Sequence, residues 1–170
     1  MTEDGLAGAL DGVSVTPRLL VAAEFEGALA EDTADPGDAR AEQPSSEALN
    51  VLMALPDTAV AVITRRSPDG VSELMFLSGS KGGVRYVLPE EVAALRADLA
   101  ATGLLLVTTS ADVAEAAGDV RDGDVVVAVG GDEEAPGPVG DAAGVPVYRV
   151  DDPEAVSEVL EEMARLRRRP

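Results

Sequence analysis

Cysteine and histidine are both absent from this chain of 170 residues. Without cysteine there can be no disulfide and no thiolate ligand for a metal. Without histidine there is no imidazole ligand for zinc and no catalytic triad built on a histidine base. Any metal centre would therefore use carboxylates to hold a hard cation, for which magnesium is the best candidate.

Aromatic residues and lysine are scarce. The four aromatic side chains, at Phe25, Phe76, Tyr86 and Tyr148, leave the core to valine, leucine and alanine. Lys81 is the only lysine, and 32 acidic residues against 13 basic ones give a net charge of −19. Because such a chain repels nucleic-acid backbones and anionic membranes, we expect neither as a partner. We interpret the charge as a solvated surface rather than as a docking site for a cationic partner.

Long apolar runs are missing as well. No stretch approaches the roughly 20 apolar residues of a membrane-spanning helix, and Met1 to Asp4 lack the basic start of a secretory signal. We therefore expect a soluble, cytoplasmic protein. The length suits one domain with a substantial core. We place that domain at residues 16–166, with a loose lead-in over residues 1–15 and a basic tail over residues 167–170.

The stretch that organises the chain is an apolar run over residues 18–24. Its length and composition predict a buried strand in the middle of a parallel sheet, covered on both faces. Glu24 and Glu26 stand at its carboxyl end, where such sheets carry their chemistry. In a strand, a spacing of two residues points both side chains the same way, and Gly27 then allows a sharp turn.

The remaining pattern alternates between strands and helices. Apolar, β-prone runs predict strands over residues 58–64, 73–77, 104–109, 124–129 and 144–150. Amphipathic spacing predicts helices over residues 45–55, 89–101, 110–117 and 153–166. We expect Ser45 or Ser46 to cap the first of these helices and Gly103 to end the second. The alternation predicts a doubly wound α/β domain with a mainly parallel sheet.

The tip of the first strand resembles motif one of the haloacid-dehalogenase-like (HAD) phosphatases, whose pattern is Asp-x-Asp-Gly-Thr. Residues 24–28 are Glu-Phe-Glu-Gly-Ala, so both aspartates are glutamate here and the threonine is alanine. Leu29 and the loop at residues 35–40 are most similar to the trehalose-phosphatase branch. The resemblance implies a Rossmann-like HAD core in which Glu24 stands at the nucleophile position and Glu26 at the general-acid position.

The end of the second predicted strand extends this resemblance. Thr64-Arg65-Arg66 is similar to the Ser/Thr-Gly-Arg motif of the family, whose hydroxyl binds the transferring phosphoryl group. The resemblance implies phosphate binding by Thr64 and Arg66, while Arg65 crowds a place where a glycine lets the backbone approach phosphate. Considered alone, Thr64 is a β-branched residue at the end of a strand.

Lys81 matches the family in two ways. Gly79-Ser80-Lys81-Gly82 resembles the Gly-Ser-His-Gly stretch of the trehalose-phosphatase branch, and the order of elements favours this match. A lysine is also the third motif of the family, in which it neutralises the aspartyl and phosphoryl charges. If a lysine serves that role here, it is Lys81, and the alternative is a solvated loop lysine.

Asp132 follows the most β-prone run of the chain. Gly130-Gly131-Asp132 resembles the Gly-Asp-Asp of the family's fourth motif, whose aspartates hold magnesium, but a glycine replaces the first aspartate. The resemblance implies that Glu24, Glu26 and Asp132 would be the metal ligands. The alternative is an acidic surface loop, which is common in so acidic a chain.

The eroded motifs predict lost turnover. A glutamate carries its carboxylate about 1.5 Å farther out than an aspartate, and a misplacement of about 1 Å can cost roughly a hundredfold in rate. The chain also lacks the length for the cap domain of the related enzymes, and the losses together argue against a working magnesium centre. Our leading hypothesis is a catalytically impaired, regulatory or scaffolding protein of trehalose or sugar-phosphate metabolism, in which Glu24, Glu26, Thr64 and Lys81 are vestigial catalytic positions.

Two alternatives stay open. The first is an active, capless, magnesium-dependent phosphatase that acts on trehalose-6-phosphate or another phosphomonoester. The second is an unrelated α/β binding module, which a sheet without Glu24 on its central strand would favour. The binding partners that these hypotheses imply are a sugar phosphate, a partner protein or a second copy of the chain.

Overall fold

The structure is a computed structural model that describes residues 2–30, 43–64, 84–109, 124–129, 147–150 and 152–168. The strands in these ranges are β1 (Leu19–Glu24), β2 (Thr58–Ile63), β3 (Val84–Val87), β4 (Gly103–Thr108), β5 (Val125–Val129) and β6 (Val147–Val150). The helices are α1 (Thr2–Ser14), α2 (Gln43–Ala54), α3 (Val92–Leu99), which a 3₁₀ turn at Pro89–Glu91 precedes, and α4 (Pro153–Arg167). None of these helices is long and apolar enough to span a membrane.

A parallel sheet forms the centre of the described part of the chain. Its strand order is β3-β2-β1-β4-β5-β6, and every neighbouring pair is parallel. The chain moves outward from β1 to β2 and β3, and then crosses to the other side of β1 for β4, β5 and β6. The order therefore reverses between β1 and β4, which makes that gap the topological switch point of the sheet. As predicted, β1 is a central strand.

Apolar side chains cover both faces of the sheet. Successive residues of β1 alternate between two cores, because side chains in a strand point to opposite faces in turn. Leu19, Val21 and Ala23 join a larger core with α1, α2 and α4, while Leu20 and Ala22 join a smaller core with α3. Helices on both faces of a parallel sheet confirm the predicted doubly wound α/β fold.

The N-terminal residues are not the loose lead-in that we expected over residues 1–15. Thr2–Ser14 form α1, whose side chains at Leu6, Leu10 and Val13 are buried in the larger core. Their spacing of four and three residues is that of an amphipathic helix. The glycines between them lower the helix propensity of the segment, which hides the pattern in the sequence.

The predicted basic tail at residues 167–170 begins inside the fold. Arg167 is the last residue of α4, and its guanidinium donates hydrogen bonds to the carbonyls of Ser14 (2.9 Å), Thr16 (2.5 Å) and Asp57 (2.9 Å). Ser14 ends α1, Thr16 lies just after it and Asp57 lies just before β2, so Arg167 ties α4 to the segments at the end of α1 and the start of β2. Burial among them lowers the pKa of the Arg167 guanidinium below its ordinary value.

The start of α2 differs from the sequence prediction. The helix begins at Gln43, so Ser45 and Ser46 lie inside its first turn and do not cap it. Both serines are buried, at 0% and 1% exposure. Their small side chains therefore serve the packing of the helix, whereas a cap would stand at its exposed end.

The end of α3 also differs. The helix stops at Leu99, and Ala100 takes a left-handed conformation with a φ of 53°. Gly103 does not end the helix but begins β4, where an added Cβ would collide with the Thr16 hydroxyl. The glycine is therefore required by the close approach of another segment and not by the helix terminus.

The edge strand β3 is one that the sequence pattern does not predict. Val84 and Tyr86 are half-buried and pack against the larger core, while Arg85 is exposed. A strand of four residues offers too short an alternation to stand out from its surroundings. The predicted strand over residues 73–77 and the predicted helix over residues 110–117 lie outside the described ranges.

A buried ion pair holds the amino-terminal edge of the sheet. Arg96 of α3 and Asp124, the residue before β5, share two hydrogen bonds, and their side chains are 0% and 1% exposed. Arg96 also donates to the carbonyls of Ala101 (3.1 Å) and Thr102 (3.2 Å), and Asp124 accepts a bond from the Leu104 amide (3.1 Å). The pair therefore joins α3, β4 and β5.

Replacing Asp124 with alanine should destabilise the protein, because it leaves the Arg96 guanidinium buried without its counter-charge. The free energy of unfolding, measured in urea, should fall by about 3–5 kcal/mol. The matched control is Glu162→Ala, which removes an exposed ion pair with Arg165 on α4. Exposed pairs contribute little, so the control should unfold like the wild type. Equal effects of the two substitutions would contradict a stabilising buried pair.

Candidate functional site

The carboxyl end of β1 is a tight, mostly buried turn. The Leu29 amide donates to the Glu24 carbonyl (3.1 Å), and the Ala30 amide donates to the Phe25 carbonyl (3.0 Å). Phe25, Leu29 and Ala30 are fully buried, whereas Glu24 and Glu26 are only partly buried. The turn therefore hides its apolar side chains and leaves two carboxylates at the edge of the sheet.

Gly27 gives this turn its shape. Its φ of 88° lies in the left-handed region, which other residues rarely adopt. Its amide donates to the Ala30 carbonyl (2.8 Å). An added Cβ would lie 2.9 Å from Cγ2 of Thr109, which directly follows β4. Both the backbone conformation and the lack of space therefore require glycine.

The Glu24 carboxylate is bound by the end of β4. Its Oε1 atom accepts three hydrogen bonds, from Thr108 Oγ1 (3.1 Å), the Thr109 amide (2.8 Å) and Thr109 Oγ1 (2.9 Å). The strands β1 and β4 are neighbours at the switch point. The Glu24 side chain therefore bridges the gap at which open α/β sheets bind their ligands.

Glu26 turns toward β2 instead. Its Oε2 atom accepts a hydrogen bond from Thr64 Oγ1 (3.1 Å), and Thr64 is buried just beyond β2. We expected Glu24 and Glu26 to point the same way, but they engage opposite neighbours of β1. The reason is that β1 ends at Glu24, so the strand alternation no longer applies at Glu26. Three of the predicted site residues nevertheless meet at one edge of the sheet.

Thr108 and Thr109 are the residues of this site that sequence reasoning missed. They end the buried run at residues 104–109, which correctly predicted a strand. A signal was present, because two hydroxyl residues close this strand at the same sheet edge as Glu24. Their importance became visible only once β4 was known to lie beside β1.

Comparison with known proteins identifies the fold. No protein-family model matches the sequence, and no curated protein matches it. Among solved structures, trehalose-6-phosphate phosphatase from Aspergillus fumigatus gives a TM-score of 0.68 at 12% identity, covering 94% of this chain and 97% of that one. The 3-deoxy-D-manno-octulosonate 8-phosphate phosphatase from Moraxella catarrhalis, solved with magnesium, phosphate and KDO, gives 0.61 at 15% identity, covering 96% and 92%. The fold is HAD-like.

In this HAD-like fold, the connection between β3 and β4 is short. Residues 88–102 hold the 3₁₀ turn and α3, with no inserted domain. The predicted absence of a cap also concerns residues 31–42 and 65–83, which lie outside the described ranges.

Three of the predicted site residues lie outside the described ranges, namely Arg66, Lys81 and Asp132. Asp132 follows β5, and β4 separates β5 from β1. Because neighbouring strands lie roughly 4.8 Å apart, β5 runs about 10 Å from β1 across the sheet. Among the described residues, the polar side chains that contact the Glu24 carboxylate belong to Thr108 at the end of β4 and to Thr109 directly after it.

The described residues at this edge do not fit a magnesium centre. Magnesium takes oxygen ligands in a near-octahedral shell, but Oε1 of Glu24 is surrounded by three hydrogen-bond donors, including a backbone amide that cannot be a ligand. No group of three or more acidic side chains that could hold a metal occurs in the described ranges. The predicted set of Glu24, Glu26 and Asp132 includes one residue outside them.

Replacing Gly27 with alanine should destabilise the protein by about 1–3 kcal/mol, the usual strain of a left-handed backbone at other residues. Chemical denaturation measures the change. The matched control is Gly12→Ala in α1, where an added Cβ meets nothing within 4 Å. Since alanine favours a helix over glycine by about 1 kcal/mol, the control should stabilise. A neutral effect of Gly27→Ala would contradict the crowded turn.

Proposed function

We propose that this chain is a HAD-fold protein that has lost phosphoryl transfer and acts by binding. The surroundings of Glu24 carry this proposal. Both strands beside β1 are followed by threonine side chains, and donors on Thr108 and Thr109 occupy Oε1 of Glu24. The residue at the nucleophile position is therefore engaged with its own fold.

Phosphoryl transfer depends on positioning and electrostatics, so these contacts matter. Three hydrogen bonds to Oε1 fix the orientation of the Glu24 carboxylate and lower its nucleophilicity, because the donors of β4 and Thr109 draw electron density from it. The glutamate side chain also moves the carboxylate by about 1.5 Å relative to aspartate, and an error of about 1 Å can cost roughly a hundredfold in rate. Both effects lower the rate.

A role in trehalose or sugar-phosphate metabolism is supported by two similarities. Leu29 and the loop at residues 35–40 are similar in sequence to the trehalose-phosphatase branch, and a trehalose-6-phosphate phosphatase shares the fold. We propose that the protein regulates or scaffolds an enzyme that handles a sugar phosphate. The HAD-like fold argues against the second alternative of the sequence analysis, an unrelated α/β binding module.

One observation favours a second candidate, an active capless phosphatase. Glu24, Glu26 and Thr64 lie at the same edge of the sheet, as a nucleophile, a general acid and a phosphate-binding hydroxyl would. Lys81 and Asp132 would then complete the site together with magnesium. The turnover experiment separates this candidate from the first.

The purified protein should hydrolyse neither trehalose-6-phosphate nor p-nitrophenyl phosphate above the buffer rate in the presence of magnesium. Release of phosphate measures the first reaction, and nitrophenolate absorbance measures the second. The double variant Glu24→Asp with Glu26→Asp should stay inactive as well. It restores the residue types of the family, but β4 still supplies hydrogen-bond donors where a magnesium centre needs ligands.

A trehalose-6-phosphate phosphatase is the positive control in the same assay. Wild-type turnover that falls at least about tenfold in Glu24→Ala would overturn the proposal in favour of the capless phosphatase. Turnover gained by the double aspartate variant would contradict the role given to the donors of β4, because side-chain length would then be the only defect.

A further inference from the structure

We propose that Glu24 and Glu26 have become a structural clasp that ties the tips of the three central strands together. The strand-tip clasp consists of Glu24, Glu26, Thr64, Thr108 and Thr109, and it bridges β2, β1 and β4. The clasp rests on the proposed function and deepens it, because it states what the two glutamates do in place of catalysis.

On one side of β1, the clasp continues the sheet where backbone pairing stops. The last residue pair between β1 and β4 is Ala23 with Val107. The next residues, Glu24 and Thr108, are joined through the Glu24 side chain (3.1 Å). Thr109 adds its amide and its hydroxyl to the same carboxylate oxygen. Three bonds therefore hold the two strand ends beyond their ladder.

On the other side, the clasp reaches β2 in a similar way. The last residue pair is Glu24 with Ile63, and the Phe25 amide then donates to the Ile63 carbonyl (2.9 Å). Beyond that point, the Glu26 carboxylate accepts the bond from Thr64. Each glutamate therefore extends the contact with one neighbour of β1.

A clasp and an active site respond in opposite ways when a carboxylate loses its charge. Carboxylates arranged for catalysis commonly destabilise the folded protein, so replacing one with a neutral residue commonly raises the stability. In the clasp, the charged acceptor strengthens every bond that it receives. A neutral replacement should then lower stability. The sign of the change in Tm distinguishes the two roles without an activity assay.

The decisive variant is Glu24→Gln, because glutamine keeps the shape and one acceptor oxygen but removes the charge. Its Tm should fall by about 3–6 °C. Thr109→Val removes a hydroxyl donor, keeps the branched shape beside Gly27 and should lower Tm by a similar amount. The double variant should lose less than the sum of the two shifts, because both changes weaken the same contact.

The matched control is Glu158→Gln, a change at an exposed glutamate of α4, which should shift Tm by less than about 1 °C. Hydrogen exchange of the Thr109 amide gives a second measurement, because that amide donates to Glu24 Oε1. Its exchange should become faster in Glu24→Gln.

An unchanged or higher Tm for Glu24→Gln, with unchanged exchange at Thr109, would overturn the clasp. If the wild type then shows no turnover, the proposed loss of catalysis stands without the clasp. A higher Tm together with phosphatase turnover by the wild type would overturn both.

Discussion

The parallel pairing of β1 with a strand on each side is the constraint on which the rest of the structure depends. It puts β1 in the middle of the sheet, where the two helix-covered cores bury both of its faces, and it places the reversal of strand order between β1 and β4. It also decides which side chains meet the end of β1. Because β2 and β4 are its neighbours, Thr64 contacts Glu26 on one side of β1 and Thr108 contacts Glu24 on the other.

Polar networks at both edges of the sheet complement a core that has few aromatic side chains. Leucine, valine and alanine fill the core of the sheet and helices, and contacts between such apolar side chains depend little on direction. At the amino-terminal edge, Arg96 with Asp124 joins α3, β4 and β5, and Arg167 joins the end of α1 to the start of β2. At the carboxyl edge, Glu24 and Glu26 join β1 to its neighbours. Directional bonds thus hold the ends of the strands.

The HAD-like fold and phosphatase chemistry depend on different residues of the chain. The fold follows from apolar strands and amphipathic helices, which this chain retains. The chemistry depends on a few side chains at the strand tips, and a fold by itself does not establish a function. Here the tip of β1 carries glutamates and the neighbouring tips carry threonines, so carboxylates meet hydrogen-bond donors. The same architecture can therefore hold a site that stabilises the sheet.

The sequence by itself determined the strand over residues 19–24, the alternation of elements that predicts the fold class, and helix α4. Asp152 precedes α4, and its carboxylate accepts a hydrogen bond from the Ala155 amide (3.0 Å). These features depend on local periodicity and capping, which neighbouring residues encode. Only the tertiary structure decided that β4 lies beside β1 and that Thr109 therefore binds Glu24. Strand order depends on contacts between residues far apart in the chain, and such contacts leave no local pattern to detect.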